Sequence, residues 1–213
     1  MPASYLSPKT RIGKSAIEGQ GLFARRRIKK GEIVAIKGGH VYDARTLAKV
    51  KGRIAVSYIQ IADGFYIGAR TSREIRRNKI FVNHSCAPNL GIRGQIVYVA
   101  LRDVAACEEL TYDWAMEEHG RSRTRCRCGA RGCRRVLTGR DWQIPRLQRR
   151  YRGYFSSYLE DKIRRMAAAG AGRANAAVPL KQSVLAVRIA EGGGRIRPAR
   201  PRRRHPPDLV LEI

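Results

Sequence analysis

Acidic residues are scarce in this chain: 17 Asp and Glu stand against 44 Lys and Arg in 213 residues, a formal net charge of +27. A field of that sign attracts polyanions and speeds association with them. Long apolar runs are missing too. No segment has the length needed to span a bilayer, and the N-terminus lacks the charged, apolar, small-residue pattern of a secretion signal. A cytoplasmic location without membrane contact is therefore the expectation. Cysteines number five, and an odd count outside a secretory context argues against a disulfide framework. No internal repeat is present.

The remaining composition, 43% apolar, suits one domain with a core plus extensions. The positive charge is uneven: residues 121–165 hold 15 basic and 3 acidic residues, whereas the much longer span 1–120 holds 20 and 11. Short β-prone runs alternate with glycine turns. Ile33–Ile36 ends at Gly38-Gly39, and Val56–Ile61 and Phe65–Ile67 flank Ala62-Asp63-Gly64, a hairpin signal. Gly94 separates Leu90–Ile92 from Gln95–Leu101, and Leu110–Trp114 makes a last short strand. Residues 43–53 read as a short helix or a loop. This pattern predicts a mostly β fold. A helix is expected over Leu147–Met166, where Leu147, Tyr151, Tyr154, Phe155, Tyr158, Leu159, Ile163 and Met166 share a stripe that Gly153 interrupts. The Ala/Gly-rich and Pro/Arg-rich remainder reads as flexible tail, with one doubtful strand at Val184–Ile189.

The chemistry concentrates in Asn83-His84-Ser85-Cys86-Ala87-Pro88-Asn89, which follows the apolar run Ile80-Phe81-Val82 and so is expected to be partly buried. Buried polar side chains need partners. Three segments offer them: the turn Gly19-Gln20-Gly21, the run Glu109-Leu110-Thr111-Tyr112-Asp113-Trp114, and Cys126-x-Cys128-x4-Cys133. Four cysteines fit one tetrahedral metal site and leave Cys107 as an ordinary apolar residue.

Together, over roughly Lys9–Thr138, these residues resemble the SET-domain protein lysine methyltransferases. That family carries a glycine turn followed by Leu-Phe-Ala, an Asn-His-Ser-Cys-x-Pro-Asn loop, a Glu-Leu-Thr-(Phe/Tyr)-Asp-Tyr segment and a three-cysteine post-SET zinc motif, in this order. The resemblance implies several short curved sheets around a knot-like central loop, a small zinc-binding post-SET segment and a C-terminal helix. It implies S-adenosyl-L-methionine against the backbone of Gly19, Gln20, Gly21 and Leu22 and against Asn83 and His84, and Zn²⁺ on Cys86, Cys126, Cys128 and Cys133. Tyr58 and Tyr112 match channel-lining positions. Trp114 stands where the family usually has its catalytic tyrosine, and an indole N–H donates but neither accepts nor gives up a proton. Tyr112 or Tyr58 then serves instead, or activity is reduced.

The expected organisation is a SET domain over 9–120, a post-SET zinc segment over 121–140, a helical extension over 141–166 and a basic tail over 167–213. The expected function is methyl transfer to the ε-amino group of a lysine in a protein substrate. The alternative is a catalytically weak SET module serving as a zinc-stabilised nucleic-acid or chromatin adaptor. Nucleic acid is a candidate partner through the basic C-terminal region, Arg134, Arg135, Arg146, Arg149 and Arg150 included. In a eukaryotic cell the location would be the nucleus or chromatin.

Overall fold

A computed structural model describes residues 3–54 and 57–176. Its strands are β1 (Tyr5–Leu6), β2 (Thr10–Lys14), β3 (Gln20–Ala24), β4 (Ile33–Ile36), β5 (His40–Asp43), β6 (Tyr58–Ala62) and β7 (Phe65–Gly68), then β8 (Asn83–His84), β9 (Leu90–Arg93), β10 (Val97–Ala100), β11 (Glu109–Tyr112), β12 (Arg123–Arg125) and β13 (Val136–Thr138). The helices are α1 (Ala44–Ile54), α2 (Ile75–Asn78), α3 (Pro145–Arg150) and α4 (Ser157–Ala176). Among the described residues the strands form three small sheets, ordered β1-β4-β10-β9, β2-β3-β11-β8 and β5-β7-β6, and the hairpin β12-β13. No described helix is long and apolar enough to cross a membrane.

Local signals set several of these elements. Gly64, at φ +72°, turns the chain between β6 and β7 as Asp-Gly predicts. Asp43 accepts the Thr46 N–H at 2.7 Å and so starts α1, whose last turn carries Lys51 and Arg53 against the helix dipole.

One pairing organises the site. β8 runs parallel to β11, with Asn83 opposite Thr111 and His84 opposite Tyr112. The loop after β8 then stays on that strand: the Ser85 N–H donates to Tyr112 O at 3.0 Å and the Asn89 N–H to Thr111 O at 3.2 Å. The Asn89 side chain closes the arrangement, its amide donating to Glu109 O (2.7 Å) while its Oδ1 accepts the Thr111 N–H (2.9 Å). A buried loop thus finds its backbone partners on a strand distant in sequence.

The helix expected over Leu147–Met166 is two helices. Gly153 sits at φ +78°, in the left-handed region that ends α3 and re-aims the chain before α4. Most of the apolar stripe survives the break: Leu147, Tyr151, Phe155 and Leu159 enter the same core as Leu22, Leu90, Ile92 and Leu110, whereas Met166 is exposed. Helix α4 also continues to Ala176 through alanines whose composition suggests tail, since alanine is the best helix former. Val184–Ile189 and the rest of the tail lie outside the described residues.

Candidate active site

The glycine turn and the central loop meet through one side chain. Asn83 Nδ2 donates to Glu18 O (3.1 Å), Gln20 O (3.3 Å) and Glu109 Oε1 (3.0 Å). Three acceptors around one amide nitrogen fix its orientation, so Asn83 Oδ1 points away from them. Glu109 is held from a second side by the Ser15 hydroxyl, at 2.8 and 3.0 Å to its two oxygens. Gly21 allows that approach: a Cβ there would lie 2.4 Å from Glu109 Oε1. Gly19, at φ +51°, makes the turn itself. Gln20 is exposed, whereas the Leu22 side chain is fully buried in the core and leaves only its backbone for a ligand.

Below the turn lie the sulfurs. Ligand-type atoms of His84, Cys86, Cys126 and Cys128 all lie within 4.8 Å of one another, with Cys86 and Cys126 Sγ 3.9 Å apart. Cys133 packs on the same cluster from the side, outside that group of four. Backbone N–H groups point at the sulfurs: Arg134 to Cys86, Cys86 to Cys128 and Arg135 to Cys133, each at 3.4 Å. Burial pushes the Cys86 thiol up to about 11 and Cys126 also well up. Burial opposes ionisation of Cys128 as well, yet the N–H groups of Cys86 and Ala130 and the neighbouring thiols bring it down to about 7. Such a donor set, with amides directed at sulfur, fits a divalent cation, which would compensate the thiolates together. Cys107 stands apart, exposed at a left-handed position (φ +68°) and not an apolar core residue.

His84 belongs to this cluster sterically but not by tautomer. Its Nδ1 accepts the Trp114 backbone N–H at 3.3 Å, so Nε2 keeps its hydrogen and donates to Cys86 Sγ at 3.4 Å. Burial holds the imidazole neutral, down to about 4. The ring lies edge-on to Trp114, with centroids 5.4 Å apart.

Arg134 is the buried node beside them. Its guanidinium donates twice to Asp113 (2.6 Å each) and once to Asp141 (2.9 Å), and the Tyr151 hydroxyl adds a bond to Asp113 at 3.1 Å. Arg134 is thus committed to two carboxylates and is not a nucleic-acid contact. Arg150 is partly committed, donating to Cys86 O at 2.9 Å. Arg135, Arg146 and Arg149 remain exposed.

On the other side of β11 tyrosines gather. Tyr112 is buried and meets Tyr98 edge-on at 5.1 Å. The Tyr98 hydroxyl donates to Glu117 Oε2 at 3.2 Å, and the Tyr112 hydroxyl interacts with both groups. Tyr58 crosses Tyr66 at 5.8 Å and feels the charges of Glu117 and Glu118. The Tyr158 hydroxyl donates to the Glu117 backbone carbonyl.

The family model for the SET domain matches residues 19–115. Residues 19–115 are a SET domain. It is 35% identical over 141 residues to a histone-lysine N-methyltransferase, H3 lysine-4 specific, of Yarrowia lipolytica, covering 60% of this chain and 12% of the relative. To histone-lysine N-methyltransferase 2B of Homo sapiens it is 36% identical over 138 residues, covering 59% and 5%. The chain thus spans an eighth or less of the length of these curated relatives. Its fold aligns with KRYPTONITE in complex with mCHH DNA, H3(1-15) peptide and SAH at a TM-score of 0.46 and 23% identity, covering 62% of this chain and 30% of that one.

Within this SET domain the structure joins Gly19, Gln20, Gly21 and Asn83 on one side of β11 and Tyr112 with the tyrosines on the other. Trp114 lies edge-on to His84 and packs both on the cysteine cluster and on the main core that holds Tyr112. Tyr66, Tyr98, Tyr158 and Glu117 belong to none of the motifs in the sequence. They come from β7, β10, α4 and the loop after β11, and no local spacing connects them.

Proposed function

We propose that this SET domain transfers a methyl group from S-adenosylmethionine to the ε-amino group of a lysine in a protein substrate. The observation that carries the reading is Asn83, whose amide locks the glycine turn to the central loop and leaves Oδ1 free of the turn's acceptors. Asn83 Oδ1 and the backbone at Gly19–Gly21 would hold the cofactor, where small residues permit close approach. When bound, the cofactor supplies an electrophilic sulfonium methyl group. The chain's own task is to present a neutral amine. Lysine starts near pKa 10.4, and an aromatic recess disfavours its cation by desolvation while ring faces accept a methylated ammonium product. Tyr58, Tyr66, Tyr98 and Tyr112 are the walls. Cys86, Cys126, Cys128 and Cys133 would hold zinc, with the His84 Nε2–H bonding the Cys86 thiolate from outside the ligand set. That metal would fix the Cys126–Cys133 segment against the central loop.

The substrate is a lysine on a protein bound to nucleic acid, chromatin included. Both curated relatives are named for histone lysine, the Yarrowia lipolytica one for H3 lysine 4, and this chain's exposed Arg123, Arg125, Arg127, Arg131 and Arg140 have no acidic partner among the described residues. Free basic tails would be repelled by a chain at +27, whereas a phosphate backbone would attract it. Calorimetric titration with S-adenosylmethionine tests the reading: the unaltered protein should bind one equivalent and Asn83→Ala, still folded, far more weakly. Absence of binding by the unaltered protein would leave the adaptor reading, which Trp114's structural placement favours.

A further inference from the structure

None of the motifs that identify the family includes Glu117, yet the tyrosines gather around it. Its side chain is buried, with 7% exposure for the residue. The segment is pinned at both ends: the Glu117 N–H donates to Trp114 O at 3.1 Å and the Ser156 N–H to Met116 O at 2.7 Å, while Tyr158 caps its carbonyl. The carboxyl therefore cannot swing out to water. If two phenols only needed a buried acceptor, an amide would serve without the cost of an ionisable group.

Resting on the methyl-transfer reading, we propose that Glu117 is the proton acceptor of the lysine recess and acts through the Tyr112 hydroxyl. The ε-ammonium of the bound lysine gives a proton to the Tyr112 oxygen as the phenol passes its own proton to the Glu117 carboxylate. One N–H and one phenolic O–H bond break, and a new phenolic O–H and a carboxylic O–H form. Ammonium becomes amine, carboxylate becomes acid, and Tyr112 is unchanged. The proton returns to solvent by the same hydroxyl after product leaves. Glu117 is thus a positioning residue, because Tyr112 alone touches the lysine. The relay supplies what Trp114 cannot, since an indole N–H accepts no proton.

The surroundings suit this task. Burial raises the carboxyl to about 8 and Glu118 adds to the rise, while the phenols of Tyr112 and Tyr98 and the Lys37 ammonium pull it back. An acceptor near ambient pH is the efficient one. The groups facing it are Tyr98 from β10, Tyr112 from β11, Tyr158 from α4, Tyr58 from β6, Glu118 from its own loop and Lys37 from the end of β4. Lys37 acts only at range, because its ammonium is held by the Gly38 and Asn78 carbonyls at 2.7 Å each.

First-turnover methyl incorporation into H3 protein bound to duplex DNA, from about pH 6 to about pH 10, tests the relay. The unaltered rate should rise and level off above about pH 8. Glu117→Gln should keep its melting temperature and S-adenosylmethionine affinity, lose about 100-fold near pH 7, and keep climbing toward the lysine's own pKa. Tyr112→Phe should show the same profile. Infrared titration of the unaltered protein should show a protonated-carboxyl band that disappears near pH 8 and is missing in Glu117→Gln. An unchanged pH profile in Glu117→Gln, an equal loss at every pH, or no titrating band would overturn the relay alone. Should Glu117→Gln not fold, Tyr112→Phe and the infrared band decide. No transfer by the unaltered protein at any pH would overturn the methyl-transfer reading, and the relay with it.

Discussion

Arg134→Met is expected to be among the most destabilising substitutions in the chain. The guanidinium makes two bonds of 2.6 Å to Asp113 and one of 2.9 Å to Asp141, with side-chain exposures of 9%, 0% and 8% for the three residues. Methionine fills much of the volume but leaves two buried carboxylates facing each other. Breaking a buried pair this way costs about 3–5 kcal/mol. The Tyr151 hydroxyl and Ala115 N–H still donate to Asp113, which places the expected loss toward the lower end, about 3 kcal/mol. Urea denaturation of the metal-loaded protein measures it. Pairing the change with Asp113→Asn should give a total loss smaller than the sum, because the two share one network. Duplex DNA affinity across salt concentrations gives the complementary readout. Its log–log salt slope should be steep in the unaltered protein and the same in Arg134→Met, whereas a phosphate contact would lower the slope by about 1. A stability loss below about 1 kcal/mol, the size of an exposed pair, would refute the buried node.

Two further outcomes follow from the site. Metal analysis should find one zinc per chain in the unaltered protein, in Cys107→Ser and in His84→Ala, the last with affinity about 10–100-fold weaker because an outer hydrogen bond is lost; Cys133→Ser should lose the metal, and the opposite result for His84 and Cys133 would reassign the fourth ligand. Stability should pass through a minimum near pH 8. Glu117 is raised from 4.5 to about 8, so the folded state holds an extra proton between those values and loses stability as pH rises through them. Lys37 is lowered from 10.5 to about 8, so the unfolded state holds the extra proton above 8 and stability climbs again. Each limb should amount to a few kcal/mol at most, since a tenfold change in proton affinity on folding is worth about 1.4 kcal/mol. Glu117→Gln should flatten the acid limb and keep the alkaline one, since Glu117 no longer raises Lys37, and a stability maximum near pH 8 would contradict both assignments.

Much of this site is legible in the sequence because its parts are contiguous there. Asn83–Asn89 carries its own polar density after an apolar run, and Cys126, Cys128 and Cys133 announce a sulfur cluster by their spacing. What escapes depends on distant elements. Arg134 and Arg135 look alike in the chain, and only Asp113 and Asp141, brought up by β11 and the turn after β13, separate the buried one from the exposed one. The place of Trp114 in its motif suggests a channel residue. What the motif does not announce is that the Trp114 ring also lies edge-on to His84 and bridges the cysteine cluster and the main core. Glu117 sits one residue before another glutamate and looks like a solvated loop acid until Tyr98, Tyr112 and Tyr158 converge on it. The single helix expected over Leu147–Met166 fails for a different reason: the apolar stripe is real, but Gly153 takes the left-handed conformation that the i, i+4 pattern cannot register.

The central claim is methyl transfer to lysine at the recess beside β11, and mass spectrometry of the product tests it most directly. H3 protein, free and bound to duplex DNA, is incubated with S-adenosylmethionine and either the unaltered chain or Asn83→Ala. The account predicts methyl-lysine with the unaltered chain, more of it on the DNA-bound substrate, and almost none with Asn83→Ala. Equal methylation by both proteins, or none by either while both bind the cofactor, would contradict it.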